Sequence, residues 1–232
     1  MNLAVLCQEH RIELDHHDAL SDARACENYF KCIVRPYKME MNPQILQRIS
    51  YDRFHIIGIG SCGSNLTKQL YLSGLPAQYT VILNSERTHP ETFHVVNFTL
   101  PKCVHYSNRN WPYQKIRLTK KITSLFKKDH TYIFLLGLGG TGTVLLHTLI
   151  PWLLENKIVF KIICSFPTHW EGERRANTAE ILFNKVNGQP FFECFRLDDL
   201  MEIKGDTTVK ETLQISDEHF YTLLAKLNLQ QN

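Results

Sequence analysis

No Cys-x-x-C pair occurs in this chain, and its seven cysteines, Cys7, Cys26, Cys32, Cys62, Cys103, Cys164 and Cys194, are odd in number. A disulfide framework and a zinc ribbon are therefore both disfavoured. Strong charge is lacking as well. The net charge of +3 is too small to argue for nucleic acid or a membrane surface. Basic residues gather only in Lys120-Lys121 and Lys127-Lys128, which read as the solvated face of a helix. Long apolar runs are missing too. The most apolar helical stretch, residues 144–154, contains His147 and Pro151 and falls far short of the roughly 20 residues a membrane span needs. Residues 1–7 are too short an apolar stretch, and lack the basic start, of a signal peptide. These absences imply reduced thiols, a cytoplasmic location and no membrane partner.

What is present suffices for a core. Hydrophobic residues make up 44% and charged residues 21% of 232, ordinary values for a globular chain of one domain or one domain with an appendage. The composition divides the chain in three. Residues 1–36 read as two short helices around a loop, and residues 37–52 as a linker marked by Pro36 and Pro43. Residues 53–232 alternate strands and helices. Strands are expected at 54–59, 79–83, 132–136, 157–164 and 191–195, with shorter ones at 93–96 and 104–106. Helices are expected at 65–72, 114–127, 142–155, 174–186 and 216–227. This rhythm predicts an α/β, Rossmann-like parallel sheet with helices on both faces, plus the short N-terminal helical appendage. Strands covered on both faces should be apolar throughout, and residues 132–136 fit.

Two of the strands run into glycine-rich turns. The first leads into Gly58-Ile59-Gly60-Ser61-Cys62-Gly63-Ser64-Asn65. Glycines there permit a sharp turn and let a phosphate approach the amides, while the following helix offers free N–H groups and a partial positive charge. A tight turn without ligand is the plain alternative, since a single G-x-G-x-x-G is a weak signal. The second turn is Gly137-Leu138-Gly139-Gly140-Thr141-Gly142-Thr143, where amides and the Thr141 and Thr143 hydroxyls could surround a phosphate. In an open parallel sheet such turns gather at the carboxyl ends of the strands. Two of them together favour a polyphosphate pocket. The chain has no Gly-Lys pair, which disfavours a P-loop. A third feature, residues 166–175, places Glu171 and Arg175 four apart, on one face if a helix starts at Gly172. They could meet sugar hydroxyls and base or phosphate, or form only an exposed ion pair worth about 0.3–0.5 kcal/mol.

The order G-x-G-x-x-G-x-N, then G-G-T-G-T, then F-P-x-x-x-E-G-x-x-R resembles the GTP-binding half of the FtsZ/tubulin superfamily, over about residues 53–230. The resemblance implies a guanine-nucleotide site for GTP or GDP, with or without Mg2+. Its residues would be Gly58, Gly60, Ser61, Cys62, Gly63 and Asn65, then Gly139, Gly140, Thr141, Gly142 and Thr143, then Glu171 and Arg175. Asn65 would approach the guanine, and Glu171 and Arg175 the nucleoside. The pattern departs where the family has glycines and this chain has Leu138 and Val144, and Leu138 would add a side chain beside the phosphates. Residues 108–113 match the γ-phosphate-sensing loop poorly. The family's second domain, which supplies the acidic loop that activates water, would be missing. The implied function is a switch or assembly component with weak or no GTPase, with no catalytic residue assigned and no metal ligand. Self-association, or a protein partner supplying the missing domain, would complete it.

Residues 1–36 are similar to the last motif of DEDDh 3′–5′ exonucleases, with His17 as general base and Asp22 as metal ligand. Two residues cannot assemble a two-metal site, so the resemblance implies a remnant, or a piece of a longer exonuclease fusion, with nucleic acid a partner only in that longer form. A dinucleotide- or ATP-binding Rossmann or ThiF-like protein is the other alternative. It would use Gly58–Gly63 and Glu86 but leaves 139–143, Glu171 and Arg175 unexplained.

Overall fold

A computed structural model describes residues 54–75, 77–83, 94–98, 116–204 and 208–229. The expectations for 1–36, 37–52, 86, 104–106 and 108–113, His17 and Asp22 among them, lie outside the described residues.

Six parallel strands form one sheet in the order β3-β2-β1-β4-β5-β6. The strands are β1 (Phe54–Ile59), β2 (Gln78–Leu83), β3 (His94–Asn97), β4 (Thr131–Gly137), β5 (Val159–Phe166) and β6 (Phe192–Arg196). The helices are α1 (Gly60–Leu72), α2 (Lys120–Thr123), α3 (Thr141–Glu155), α4 (Glu173–Val186), α5 (Leu197–Lys204) and α6 (Val209–Leu229), with a 3-10 turn at His169–Glu171. This is the doubly wound α/β architecture expected from the alternation of elements.

Side chains of β4 show why both faces must be covered. Tyr132, Phe134 and Leu136 join one core with α3 and α4, while Ile133 and Leu135 join the other with α1 and α6. Every residue from Tyr132 to Leu136 is at most 1% exposed, so the strand is apolar along its length rather than alternating.

Three sequence expectations change. The helix expected over 114–127 is the single turn Lys120–Thr123 among the described residues. Ile116, Ile122 and Leu125 are buried as the periodicity implied, but Thr119 is extended and precedes the turn instead of continuing it. The first helix begins at Gly60, not at 65, so much of the glycine motif is helical. Finally, α5 follows β6 directly, and α6 runs from Val209 rather than 216.

Candidate functional site

The strand order reverses direction between β1 and β4, and in open α/β sheets ligands bind in the crevice beyond the carboxyl ends of strands at such a point. Both glycine turns leave the sheet there. Gly58 of β1 is in register with Leu135 of β4, and Gly137 of β4 with Ser165 of β5. The turns touch: a Cβ added to Gly142 would stand 2.9 Å from Ile59 Cγ2, and one added to Gly137 would stand 3.3 Å from Cys62 Cβ.

The glycines divide into two kinds. Around Gly58, Gly63 and Gly142 the space is filled by protein. A Cβ at Gly58 would strike the Gly63 carbonyl and the Thr67 hydroxyl, and one at Gly63 the Leu135 carbonyl. These positions let α1 and α3 close down on the sheet. Gly60, with φ +69, has nothing within 4 Å of an added Cβ, and at Gly140 the nearest atom is Arg175 Nη2 at 3.9 Å. The open backbone of the crevice is therefore at Gly60 and Gly140. The first amides of α1 and α3 start here, and helix geometry supplies no carbonyl one turn back for them.

Side chains near the turns are placed as follows. Ser61 and Asn65 are exposed on α1, four residues apart and so on one face. Cys62 points inward. Its thiol is pushed up to about 12 by burial, then by the nearby carboxylates of Asp217 and Glu171, with Arg175 opposing, which disfavours the thiolate. Thr143 is fully buried and accepts the Gly139 N–H at 2.8 Å, closing the second turn on itself. Thr141 is 7% exposed at the first position of α3. The reading that placed the Thr143 hydroxyl around a phosphate meets a side chain already used within the loop. Leu138 and Val144 are buried in the core shared with α3 and α4, so Leu138 does not project beside the open backbone.

Glu171 and Arg175 come together over the second turn. Glu171 lies in the 3-10 turn rather than in α4, which begins at Glu173 after Gly172 (φ +91). One carboxylate oxygen accepts the Thr168 N–H at 3.1 Å. The other meets Arg175 Nη1 at 3.0 Å. Arg175 in turn packs against Gly139, where an added Cβ would stand 2.8 Å from the Arg175 carbonyl oxygen. Gly139 (φ +90) is thus required both by its conformation and by this close approach. The same 3-10 turn is tied to α5: Asp198 accepts the His169 N–H at 3.0 Å and lies 3.0 Å from His169 Nδ1.

Sequence reasoning missed the floor on the α6 side. The Tyr221 hydroxyl donates to Gln69 Oε1 at 2.9 Å, joining α6 to α1. Gln69 also hydrogen-bonds the Asp217 carboxyl, which burial pushes up to about 7. A signal existed: Asp217 falls on the stripe 217, 220, 221, 224, where its companions are Phe220, Tyr221 and Leu224, all buried. A carboxylate on a helix's buried face is worth marking. Among the described residues no cluster of three His, Cys, Asp or Glu could hold a metal ion, and no helix is long and apolar enough to cross a membrane.

No family model matches the chain, and no curated protein matches it. Solved structures do. TubZ of Bacillus thuringiensis serovar israelensis, in its GDP-form protofilaments, superposes with a TM-score of 0.53 at 15% identity, over 82% of this chain and 59% of that one. A GTPγS-form protofilament of the same protein gives 0.51 at 11% identity, over 82% and 60%. CetZ from Methanosaeta thermophila strain DSM 6194 gives 0.50 at 11% identity, over 75% and 53%. The chain spans little more than half the length of these proteins. At such identity the similarity is one of architecture alone. The chain shares its α/β fold with TubZ and CetZ.

Proposed function

We infer that residues 53–232 bind a guanine nucleotide, with its phosphates at the open backbone of Gly60 and Gly140. The observation that carries this reading is the meeting of the two turns: α1 and α3 begin side by side at the switch point, so two helix N-termini address one anion. Around that centre Gly58, Gly63 and Gly142 act by packing. Ser61, Cys62, Gly139, Thr141 and Thr143 shape the turns, and Asn65 lies on the solvent face of α1 with Ser61 toward the base. Arg175, held by Glu171, supplies a cation beside the second turn. TubZ, caught in GDP and GTPγS forms, supports the choice of guanine.

A Mg2+ accompanying the nucleotide would rest chiefly on phosphate oxygens and water, since the described residues offer no cluster of carboxylates for it. We read the site as a binding module, a switch or an assembly part, rather than as a fast GTPase. The protofilament states of TubZ make self-association, or a partner supplying a second domain, the natural context.

Titration of fluorescent GTP and GDP against the full chain tests the reading. Saturable binding with competition by unlabelled GTP, and weaker competition by ATP and NAD, is the expected result. Absence of binding at millimolar GTP and GDP removes it, and preference for NAD or ATP transfers the site to the dinucleotide or adenylate alternative.

A further inference from the structure

On the far side of the sheet from α1 and α6, a groove of about 400 Å³ runs between α3 and α4, within the size range of small-molecule sites. Its floor is Leu146, Ile150, Leu182 and Val186, all buried. One rim carries the exposed apolar Pro151 and Leu154, the latter 51% exposed. The other carries Lys185 and Gln189.

The polar groups in this apolar setting are unusual in lacking partners. His147 lines the groove, and its buried Nε2 has no hydrogen-bond partner. Pro151 stands four residues after His147 inside α3 and offers no N–H, so the His147 carbonyl also lacks its helical donor. Lys185 forms no ion pair among the described residues, and no acidic residue lines the groove. Lys185 is close enough to His147 to add to burial in holding the imidazole down to about 4. A lone cation and an imidazole with an unpartnered Nε2 thus line an apolar trough that carries no acidic side chain among the described residues.

We propose that this groove is a binding site for a small amphiphilic carboxylate, its alkyl or aryl body on Leu146, Ile150, Leu182 and Val186 and its acid group at Lys185. The charge decides the class. A neutral apolar molecule would leave Lys185 unpaired at the rim, and an amphiphilic cation would oppose it. The site is separate from the nucleotide crevice and does not rest on that reading.

Calorimetric titration of the full chain with sodium octanoate and sodium decanoate, both kept below micelle formation, tests the proposal. One saturable site is expected, with decanoate tighter than octanoate by about tenfold, as burial of two further methylenes implies. Decyltrimethylammonium should not compete. Lys185→Gln and Leu154→Glu both change exposed side chains, so circular dichroism should be unaltered while decanoate affinity falls at least about fivefold. The His147 imidazole resonances should move on decanoate addition in the unaltered protein. The proposal is overturned by absence of saturable decanoate binding, by equal binding of the cationic amphiphile, or by affinity that ignores both substitutions. A helical peptide that occupies the groove when decanoate does not would make it a protein-docking surface instead.

Discussion

Gly142 lies directly against Ile59: a Cβ added to the glycine would stand 2.9 Å from Ile59 Cγ2. Gly142 is the second residue of α3 and Ile59 the last of β1, so this contact helps set the spacing of the two glycine turns. Gly142→Ala is expected to cost about 1–3 kcal/mol through overpacking and to weaken nucleotide binding. Adding Ile59→Ala should recover part of that loss, because it removes the colliding methyl. Urea denaturation of the single and double variants measures the coupling; strictly additive effects would mean that the contact does not set the spacing.

The two kinds of glycine separate experimentally. Gly63→Ala drives a side chain into the Leu135 carbonyl and should cost at least about 2 kcal/mol. Gly60→Ala meets no atom within 4 Å but must hold φ +69, which costs about 1–2 kcal/mol. A Gly60→Asn replacement, better suited to that conformation, should retain more stability than Gly60→Ala. Its side chain would nonetheless enter the open crevice, so nucleotide affinity should fall in both. Equal affinity in Gly60→Asn and the original protein would move the phosphates elsewhere.

Arg175 and Glu171 form an ion pair that is half-exposed on the arginine side. Solvent screening limits its contribution to stability to about 1 kcal/mol or less. Arg175→Ala should therefore change thermal stability little and reduce fluorescent GTP affinity by about tenfold, with Arg175→Lys intermediate. Glu171→Gln should do less than Arg175→Ala, since an amide oxygen can still accept the Thr168 N–H. A large loss of stability with unchanged affinity would make the pair purely architectural.

Acid and base should act on this fold in part through three groups shifted by burial. The Asp217 carboxyl, raised to about 7 by burial against an ordinary 3.8, keeps its proton in the fold after the unfolded chain has released it. Its stabilisation is complete below about pH 4 and is lost as pH rises through 7. His55 and His147, both lowered to about 4 chiefly by burial, act the other way: their contribution is present above pH 6.5 and is lost as pH falls toward 4. Asp217→Asn should gain relative to the original protein between pH 4 and 8 by on the order of 2–4 kcal/mol. Denaturation midpoints at pH 5 and pH 8 provide the comparison; parallel changes in both proteins would refute the assignment.

Much of this arrangement was legible in the chain because backbone demands leave plain marks. Apolar runs that end in glycine gave β1 and β4 closely, and the second turn was placed to within a residue. Ambiguity entered where a residue type serves two physical ends. Glycines at 58, 63 and 142 look the same in sequence as those at 60 and 140, yet the former admit a neighbouring backbone or side chain and the latter leave open space. The extra turns of α1 were missed because glycine is a poor helix former, and close packing on β4 overrides that preference. The stripe in α6 marks Asp217 as buried, but its partner Gln69 lies 152 residues from Tyr221, and no local pattern names a partner so remote.

Because β1 pairs with β4, the crevice draws on stretches of chain from Gly58 to Arg175 that are remote until the sheet is complete. A bound anion would hold the ends of separate crossovers at once, so occupancy should report on the whole assembly and not on one loop. Protease nicking within the connections between β3 and β4 would then be tolerated while ligand is present, and two halves cut there should re-associate more readily with nucleotide than without it.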